Sequence, residues 1–231
     1  MKSFIAATCT VVLLLAKAQA QSVCASDGQP TPVRLLDRFI SADCDSCWSD
    51  PVTPRPRSGT VALDWILPGG LGEDAPLSAV ATRDALVRLE ALRKSIPDQS
   101  MTVSHSVNAL QGTKLRVAHG LPLADYVGAS IELKPVPRAA KKQRWTFWLA
   151  LVETLPAGTE ASPVERNLVK NLLQTNRDVR KQLLKTEQTR FFESRSMNIA
   201  AAADPARLRV IGWVENEKGQ VVAAAQSRCM R

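Results

Sequence analysis

Four cysteines beyond the first twenty residues constrain this chain more than any other feature of its sequence. Cys24 and Cys229 lie near the two ends, and Cys44 and Cys47 form a C-x-x-C pair. Four cysteines allow three pairings, and the simplest one joins Cys44 to Cys47 and Cys24 to Cys229. The second bridge would close nearly the whole chain into a loop, which in the chain-entropy model stabilises the fold by about 4–5 kcal/mol.

Residues 1–20 have the organisation of a secretory signal. Lys2 supplies a positive charge, the stretch from Phe4 to Leu15 is largely apolar, and Ala18-Gln19-Ala20 matches a small-x-small cleavage site. The apolar stretch is shorter than the ~20 residues that a spanning helix needs. We therefore expect a periplasmic or secreted protein that is not membrane-embedded, in a compartment where disulfide bonds persist.

The charge balance excludes some partners. The first twenty residues carry two lysines and no acid, so the 30 basic and 22 acidic residues of the chain leave a mature excess of +6. This excess lies in residues 134–144 and 165–195, which have no aromatic-interleaved basic motif, and we expect no nucleic-acid binding. A solvated basic face is the simplest interpretation, and attraction to anionic lipid headgroups or to an acidic partner is the alternative.

Hydrophobic patterning predicts many strands and one clear helix. A helix with Ser78 as N-cap would place Ala81, Ala85, Leu89 and Leu92 on one face. Residues 164–184 fit either a helix or a strand. The predicted strands are residues 33–40, 60–67, 101–107, 114–118, 129–136, 145–155, 189–199, 208–215 and 220–227, the last two joined by a hairpin turn at 216–219.

The C-x-x-C pair directly follows a predicted strand, which is the spacing that thiol–disulfide exchange requires. In that chemistry Cys44 would be the more exposed attacking thiol and Cys47 the resolving one. Pro51, Pro54 and Pro56 exclude the helix that usually lowers the thiol pKa, and neighbouring aspartates oppose thiolate formation. The redox competence of the pair is therefore doubtful.

Two other roles remain open for the cysteine pair. The disulfide can be purely structural, with Trp48 shielding it. Alternatively, Cys44 and Cys47 can bind zinc or copper together with His105 or His119, the only histidines of the chain. We expect no cofactor, because the sequence lacks a Gly-rich phosphate loop, a G-x-S-x-G elbow and an H-E-x-x-H motif.

Several segments resemble a family of secreted bacterial proteins, domain-of-unknown-function family 1223. These segments are Leu36 to Cys47 (LDRFISADCDSC), Asp74 to Ser78, Trp148 to Glu153 (WLALVE) and the closing strand Val221 to Ser227. Asn167, Lys170, Leu172, Thr175, Asn176 and Arg180 also follow a family motif. The resemblance implies a thioredoxin-like N-terminal half and a β-rich C-terminal half, and it favours a strand for residues 164–184.

The sequence therefore predicts an α+β protein with a reduced thioredoxin-like α/β domain followed by an antiparallel β-sandwich-like domain. The predicted segments are a signal peptide at 1–20, a polar leader at 21–32, the thioredoxin-like domain at 33–111 and the β-rich domain at 112–231. The first functional hypothesis is an exported, periplasmic thioredoxin-like protein of unknown specific function whose Cys44–Cys47 disulfide is of doubtful redox competence; if active, it would be a thiol–disulfide oxidoreductase. The second is a non-enzymatic envelope binding or assembly module that contacts another exported protein through its β-rich domain.

Overall fold

The computed structural model describes residues 24–137, 144–177, 189–200 and 202–229. The predicted signal peptide and parts of both basic stretches, at 138–143 and 178–188, lie outside the described residues.

Strands dominate the described residues, and they form two sheets. The helices are α1 (Asp45–Trp48) and α2 (Arg83–Ala91), and short 3-10 turns occur at Gly72–Asp74, Ser78–Val80 and Pro205–Arg207. The strands are β1 (Cys24–Ala25), β2 (Arg34–Ser41), β3 (Thr60–Leu67), β4 (Ser100–Ser106), β5 (Lys114–His119), β6 (Tyr126–Lys134), β7 (Trp145–Leu155), β8 (Arg166–Arg177), β9 (Phe191–Asn198), β10 (Leu208–Glu215), β11 (Val221–Gln226) and β12 (Arg228–Cys229).

The larger sheet has seven strands in the order β11-β10-β7-β8-β3-β2-β4, and the smaller has five in the order β12-β1-β5-β6-β9. β2 and β3 are parallel, and β3 meets β8 in parallel at the pair Asp64 and Leu168. β2 and β3 are buried along almost their whole length, which explains their continuous apolar runs.

The hydrophobic core lies in two layers, one on each face of the larger sheet. Alternate residues of β7 divide between them: Phe147 and Leu149 pack against the smaller sheet, whereas Trp148 and Ala150 face the side covered by α2. The two sheets pack closely at Gly212, where an added Cβ would lie only 2.5 Å from a methyl of Val117. This contact requires glycine.

The predicted α+β class, with its reduced thioredoxin-like α/β domain, is wrong, because the described residues form mainly two β-sheets with two short helices. Residues 33–111 contribute β2, β3 and β4 to a sheet that they share with four strands from the C-terminal half. Two features explain the difference. The proline-rich segment after α1 stops that helix at four residues. β8, from the C-terminal half, is the neighbour of β3 in the sheet. The predicted boundary at residues 111 and 112 falls in the connection between β4 and β5.

Two local predictions also need correction. The N-cap of α2 is Thr82, whose hydroxyl accepts a hydrogen bond from the Ala85 amide at 3.3 Å, and Ser78 begins a separate 3-10 turn instead. The ambiguous segment is a strand over Arg166–Arg177, and its remaining residues from 178 onward lie outside the described part of the chain.

Candidate functional site

The predicted cysteine pair forms a disulfide at the end of β2. Cys44 is the N-cap of α1, and its Cα lies 5.3 Å from that of Cys47. The predicted order of exposure is reversed, because Cys44 is only 8% exposed whereas Cys47 is half-buried. Cys47 packs against the apolar cluster around Ile40 and Trp48, so the bridge forms part of the core surface.

The segment after the disulfide is anchored by Trp48. Its indole Nε1 donates to the Glu160 carbonyl at 2.7 Å, and its own carbonyl accepts from Nη2 of Arg166 at 2.6 Å. The Arg166 guanidinium also stacks over the indole, 4.7 Å from the ring centroid. Trp48 therefore fills the place that a longer helix would occupy.

Arg166 belongs to a buried ion cluster on this face of the sheet, which we call the Asp64 cluster (Arg38, Asp64, Arg166). Asp64 accepts from Arg166 at 2.9 Å through Oδ1 and from Arg38 at 2.7 Å through Oδ2. Arg38 also donates to the carbonyls of Pro54 and Glu165. One carboxylate on β3 thereby fixes the loops on both sides of the disulfide.

A second buried cluster lies on the opposite face, and we call it the Arg88 cluster (Asp37, Arg88, Glu215). Arg88, which is fully buried on α2, bonds Asp37 at 2.9 Å and Glu215 at 2.7 Å. Its guanidinium contacts both stacked rings of Trp148 and Trp213, at 5.3 and 4.9 Å from their centroids. Both indoles donate to Glu215, which completes the cluster.

His105 places a titratable ring against this cluster. Its Nε2 lies 3.1 Å from Oδ2 of Asp37, an ion-pair distance when the imidazole is protonated. Burial alone would raise the pKa of the Asp37 carboxyl, but Arg88 and His105 outweigh burial and hold that pKa below its ordinary value. Asp37 is thus ionised across the neutral pH range.

Glu215 of the Arg88 cluster lies, with Trp148, in the lining of an open cleft of about 930 Å³. The end of α2 and the β10–β11 turn contribute Arg93 and Lys218 to the lining, and Arg144 completes its cationic groups, beside His105, Glu215 and Glu217. Glu215 is already paired with Arg88. The surplus charge of the lining is therefore positive.

The two predicted metal-ligating histidines lie far from Cys44 and Cys47. His105 pairs with Leu35 near the beginning of β2, at the end away from the cysteines. His119 lies beside the disulfide of Cys24 and Cys229, the two cysteines that the sequence pairs across the chain. Over the described ranges, a three-residue group with metal-ligand spacing occurs only at Cys24, His119 and Cys229.

Sequence reasoning missed both ion clusters, although the sequence contained a signal for them. Asp37 and Asp64 are acids in the middle of otherwise buried strands, and such residues need a buried cation nearby. Arg88 occurs on the predicted apolar face of α2, three residues after Ala85. Charged residues within apolar patterns were the signal, and they do not reveal which residues pair.

The disulfides and helices are informative about the compartment in which the protein folds. Two disulfide bonds are typical of proteins from oxidising compartments outside the cytoplasm. Among the described residues, neither helix has the length and apolar character needed to cross a membrane.

Comparison with known proteins gives little. No family model and no curated protein matches the chain, so the resemblance to family 1223 stays a prediction. Among solved structures, the chain is similar to HBP35 of Porphyromonas gingivalis at 10% sequence identity and a TM-score of 0.49, over 87% of this chain and 76% of that chain.

Proposed function

We propose that this protein is an exported, periplasmic binding module whose Cys44–Cys47 disulfide is structural and whose ligand site is the cleft beside the Arg88 cluster. The observation that carries the proposal is the cleft itself, which combines a cationic rim with a floor where the buried Glu215 is paired with Arg88 and Trp148. A rigid floor holds the rim groups in place without reorganisation when a ligand binds.

The rim favours a ligand with several negative charges. Arg93, Arg144 and Lys218 face a single unpaired acid, Glu217. Guanidinium groups bind carboxylate and phosphate oxygens through two parallel hydrogen bonds, whereas an ammonium acts as a point charge. We infer that the ligand is a small polycarboxylate or a phosphorylated molecule.

The backbone at Arg93 supports a specific role for that side chain. Arg93 follows the C-cap of α2 with φ of 54°, a left-handed conformation in which glycine is usual. A residue with a Cβ costs about 1–2 kcal/mol in that conformation. Strained residues of this kind concentrate at ligand sites, and Arg93 lies at the rim of the cleft.

The surroundings of Cys44 and Cys47 support a structural bridge rather than an exchanging one. Cys44 is buried, and Asp43 and Asp45 flank it with negative charge. A helix of four residues supplies little of the dipole that stabilises a thiolate. These features disfavour the attacking thiolate that disulfide exchange requires.

Calorimetric titration with citrate and with inorganic pyrophosphate tests the binding proposal. We expect saturable binding of at least one probe, weakened at least fivefold by Arg93→Gln and by Lys218→Gln. Arg83→Gln is the matched control, because Arg83 is exposed at the other end of α2 and outside the cleft lining. Absence of binding by both probes, or equal weakening by Arg83→Gln, overturns the proposal.

The reduction potential of Cys44–Cys47 tests the role of the disulfide. We expect a midpoint below about −300 mV in glutathione buffers, which is the range of structural bridges. A midpoint above about −250 mV lies among working oxidoreductases. Such a value, together with insulin reduction that is lost in C44A/C47A, would establish the redox function instead.

A further inference from the structure

A second site lies at the far end of the smaller sheet, where the chain ends meet. Cys24 on β1 pairs with Cys229 on β12 on one side and with His119 on β5 on the other. The two sulfurs and a ring nitrogen of His119 all lie within 4.8 Å of one another. Three neighbouring strands thus bring the two sulfurs of a disulfide and an imidazole to one point.

The protonation of His119 leaves one ring nitrogen free. Nδ1 lies 2.9 Å from the Gly120 carbonyl, and because a carbonyl only accepts, Nδ1 carries the proton. Nε2 therefore has an unprotonated lone pair, and this buried atom makes no hydrogen bond. Metal-binding histidines show this arrangement, in which a backbone carbonyl fixes one nitrogen and the other binds the ion.

The His119 side chain is buried, with 4% of its surface exposed. A neutral imidazole is the form that ligates metal ions. An unpaired buried nitrogen is costly, so a partner at Nε2 would relieve a penalty present in the oxidised protein.

We propose that reduction of the Cys24–Cys229 disulfide opens a Zn²⁺ site formed by Cys24, Cys229 and His119. A dithiol reductant transfers two electrons to the disulfide and becomes a disulfide itself, leaving two cysteine thiols. Zn²⁺ then binds two thiolates and Nε2, and two protons leave to solvent. Cys229 is exposed, which leaves a side open for water as the fourth ligand.

The required adjustment is small. Tetrahedral Zn²⁺ with the usual bond lengths needs ligand atoms about 3.5–3.8 Å apart, and these atoms already lie within 4.8 Å. We expect side-chain rotation to bring them to one ion while β1 stays paired with β5 and β12. The site is distinct from the cleft and from Cys44–Cys47, and it does not depend on the proposed ligand.

The experiment uses the full mature chain carrying C44S/C47S, which removes the other thiol pair. With a phosphine reductant present, calorimetry and competition with a chromophoric chelator measure Zn²⁺ uptake. We expect one Zn²⁺ per reduced chain and none per oxidised chain. H119Q is expected to weaken Zn²⁺ binding at least tenfold. H105Q, the same substitution at the other histidine, is expected to leave the Zn²⁺ affinity unchanged.

Two further measurements keep the outcome decisive if H119Q folds poorly. His119→Cys supplies a thiolate at the same position and is expected to retain tight binding. Bound Zn²⁺ should also slow alkylation of Cys24 and Cys229 together in the parent protein. Absence of Zn²⁺ uptake by the reduced parent, or equal affinities for H119Q and H105Q, overturns the proposal.

Discussion

The Asp64 cluster and the Arg88 cluster lie on opposite faces of strands β2 and β3, and their net charges have opposite signs. Asp37 on β2 and Asp64 on β3 are in neighbouring register, since Asp37 is paired with Leu63 and Arg38 with Asp64. The Asp64 cluster has two arginines for one carboxylate, and the Arg88 cluster has one arginine for two carboxylates. Each is unbalanced by one charge.

The difference lies in how each imbalance is compensated. The excess cation of the Asp64 cluster is bonded to the carbonyls of Trp48, Pro54 and Glu165, so it is used to fix loops. The excess anion of the Arg88 cluster is met by His105, whose Nε2 lies 3.1 Å from Oδ2 of Asp37. An excess buried charge is thus used in two ways: in the Asp64 cluster it fixes loops through backbone carbonyls, whereas in the Arg88 cluster it is paired with a side chain that lines the cleft.

The largest expected effect is at Asp64. Asp64→Asn leaves two buried guanidinium groups without a counterion, and breaking a buried pair in this way costs about 3–5 kcal/mol. Urea unfolding measures the loss, with Asp45→Asn as an exposed control expected to change stability by less than about 0.5 kcal/mol. A loss below about 1 kcal/mol for Asp64→Asn would show that water reaches both arginines, and the contrast between the clusters would fail.

Arg88→Met should cost about 3 kcal/mol at neutral pH, because two buried carboxylates lose their cation. The wild-type pKa of Asp37 is held low, so its contribution to stability exists above the ordinary Asp pKa and is lost as pH falls through the folded value. In Arg88→Met, burial raises the pKa of Asp37, so protonation of this carboxyl at low pH no longer lowers the free energy of unfolding. The two stability curves should therefore converge on acidification, and Arg83→Met should follow the wild type at every pH.

The next effect concerns the bridge beside the Asp64 cluster. C44A/C47A removes the disulfide that closes a loop of four residues. In the chain-entropy model such a bridge contributes about 2 kcal/mol to the free energy of unfolding. Because Arg166 and Glu160 hold Trp48 independently of the sulfurs, we expect the indole to stay buried in the native variant. Fluorescence quenching by iodide checks this, with a C44A/C47A/W48F variant isolating the Trp48 signal. A newly accessible Trp48 would mean that the disulfide, and not the cluster, positions α1.

Trp48→Phe should have the smallest effect, about 1 kcal/mol, because it removes the hydrogen bond to the Glu160 carbonyl and part of the stacking with Arg166. Trp145→Phe is the matched control, since that buried indole makes no hydrogen bond. Urea unfolding should show the smaller loss for Trp145→Phe. A larger loss for Trp145→Phe would mean that the hydrogen bond of Trp48 contributes little and that its ring anchors α1 by packing alone.

The strands were predictable because apolar runs are bounded by strong local signals. β3, β7 and β10 begin and end at the predicted residues, and Pro68-Gly69-Gly70 stops β3 directly. The fold class was not predictable, because the neighbour of β3 is β8, more than one hundred residues later. A parallel pairing of this kind produces no pattern in the sequence of β3 or β8 that would identify the two as neighbours.

The candidate site divides in the same way. The disulfide pairs follow from the number and spacing of the cysteines, so the sequence suggested them. The cleft combines the end of α2, the β10–β11 turn and Arg144, three places that converge only when the larger sheet forms. The position of His119 beside Cys24 likewise depends on strand register, which alternation alone does not specify.

The bridge between Cys24 and Cys229 also sets the order in which the chain can mature. Synthesis proceeds from the N-terminus, so Cys24 exists for 205 residues of elongation before its partner is made. During that interval Cys44 and Cys47 are the only cysteines added after Cys24. Cys24 must therefore stay free or exchange out of an early bridge, and the covalent ring closes only when β12, the final strand, reaches β1.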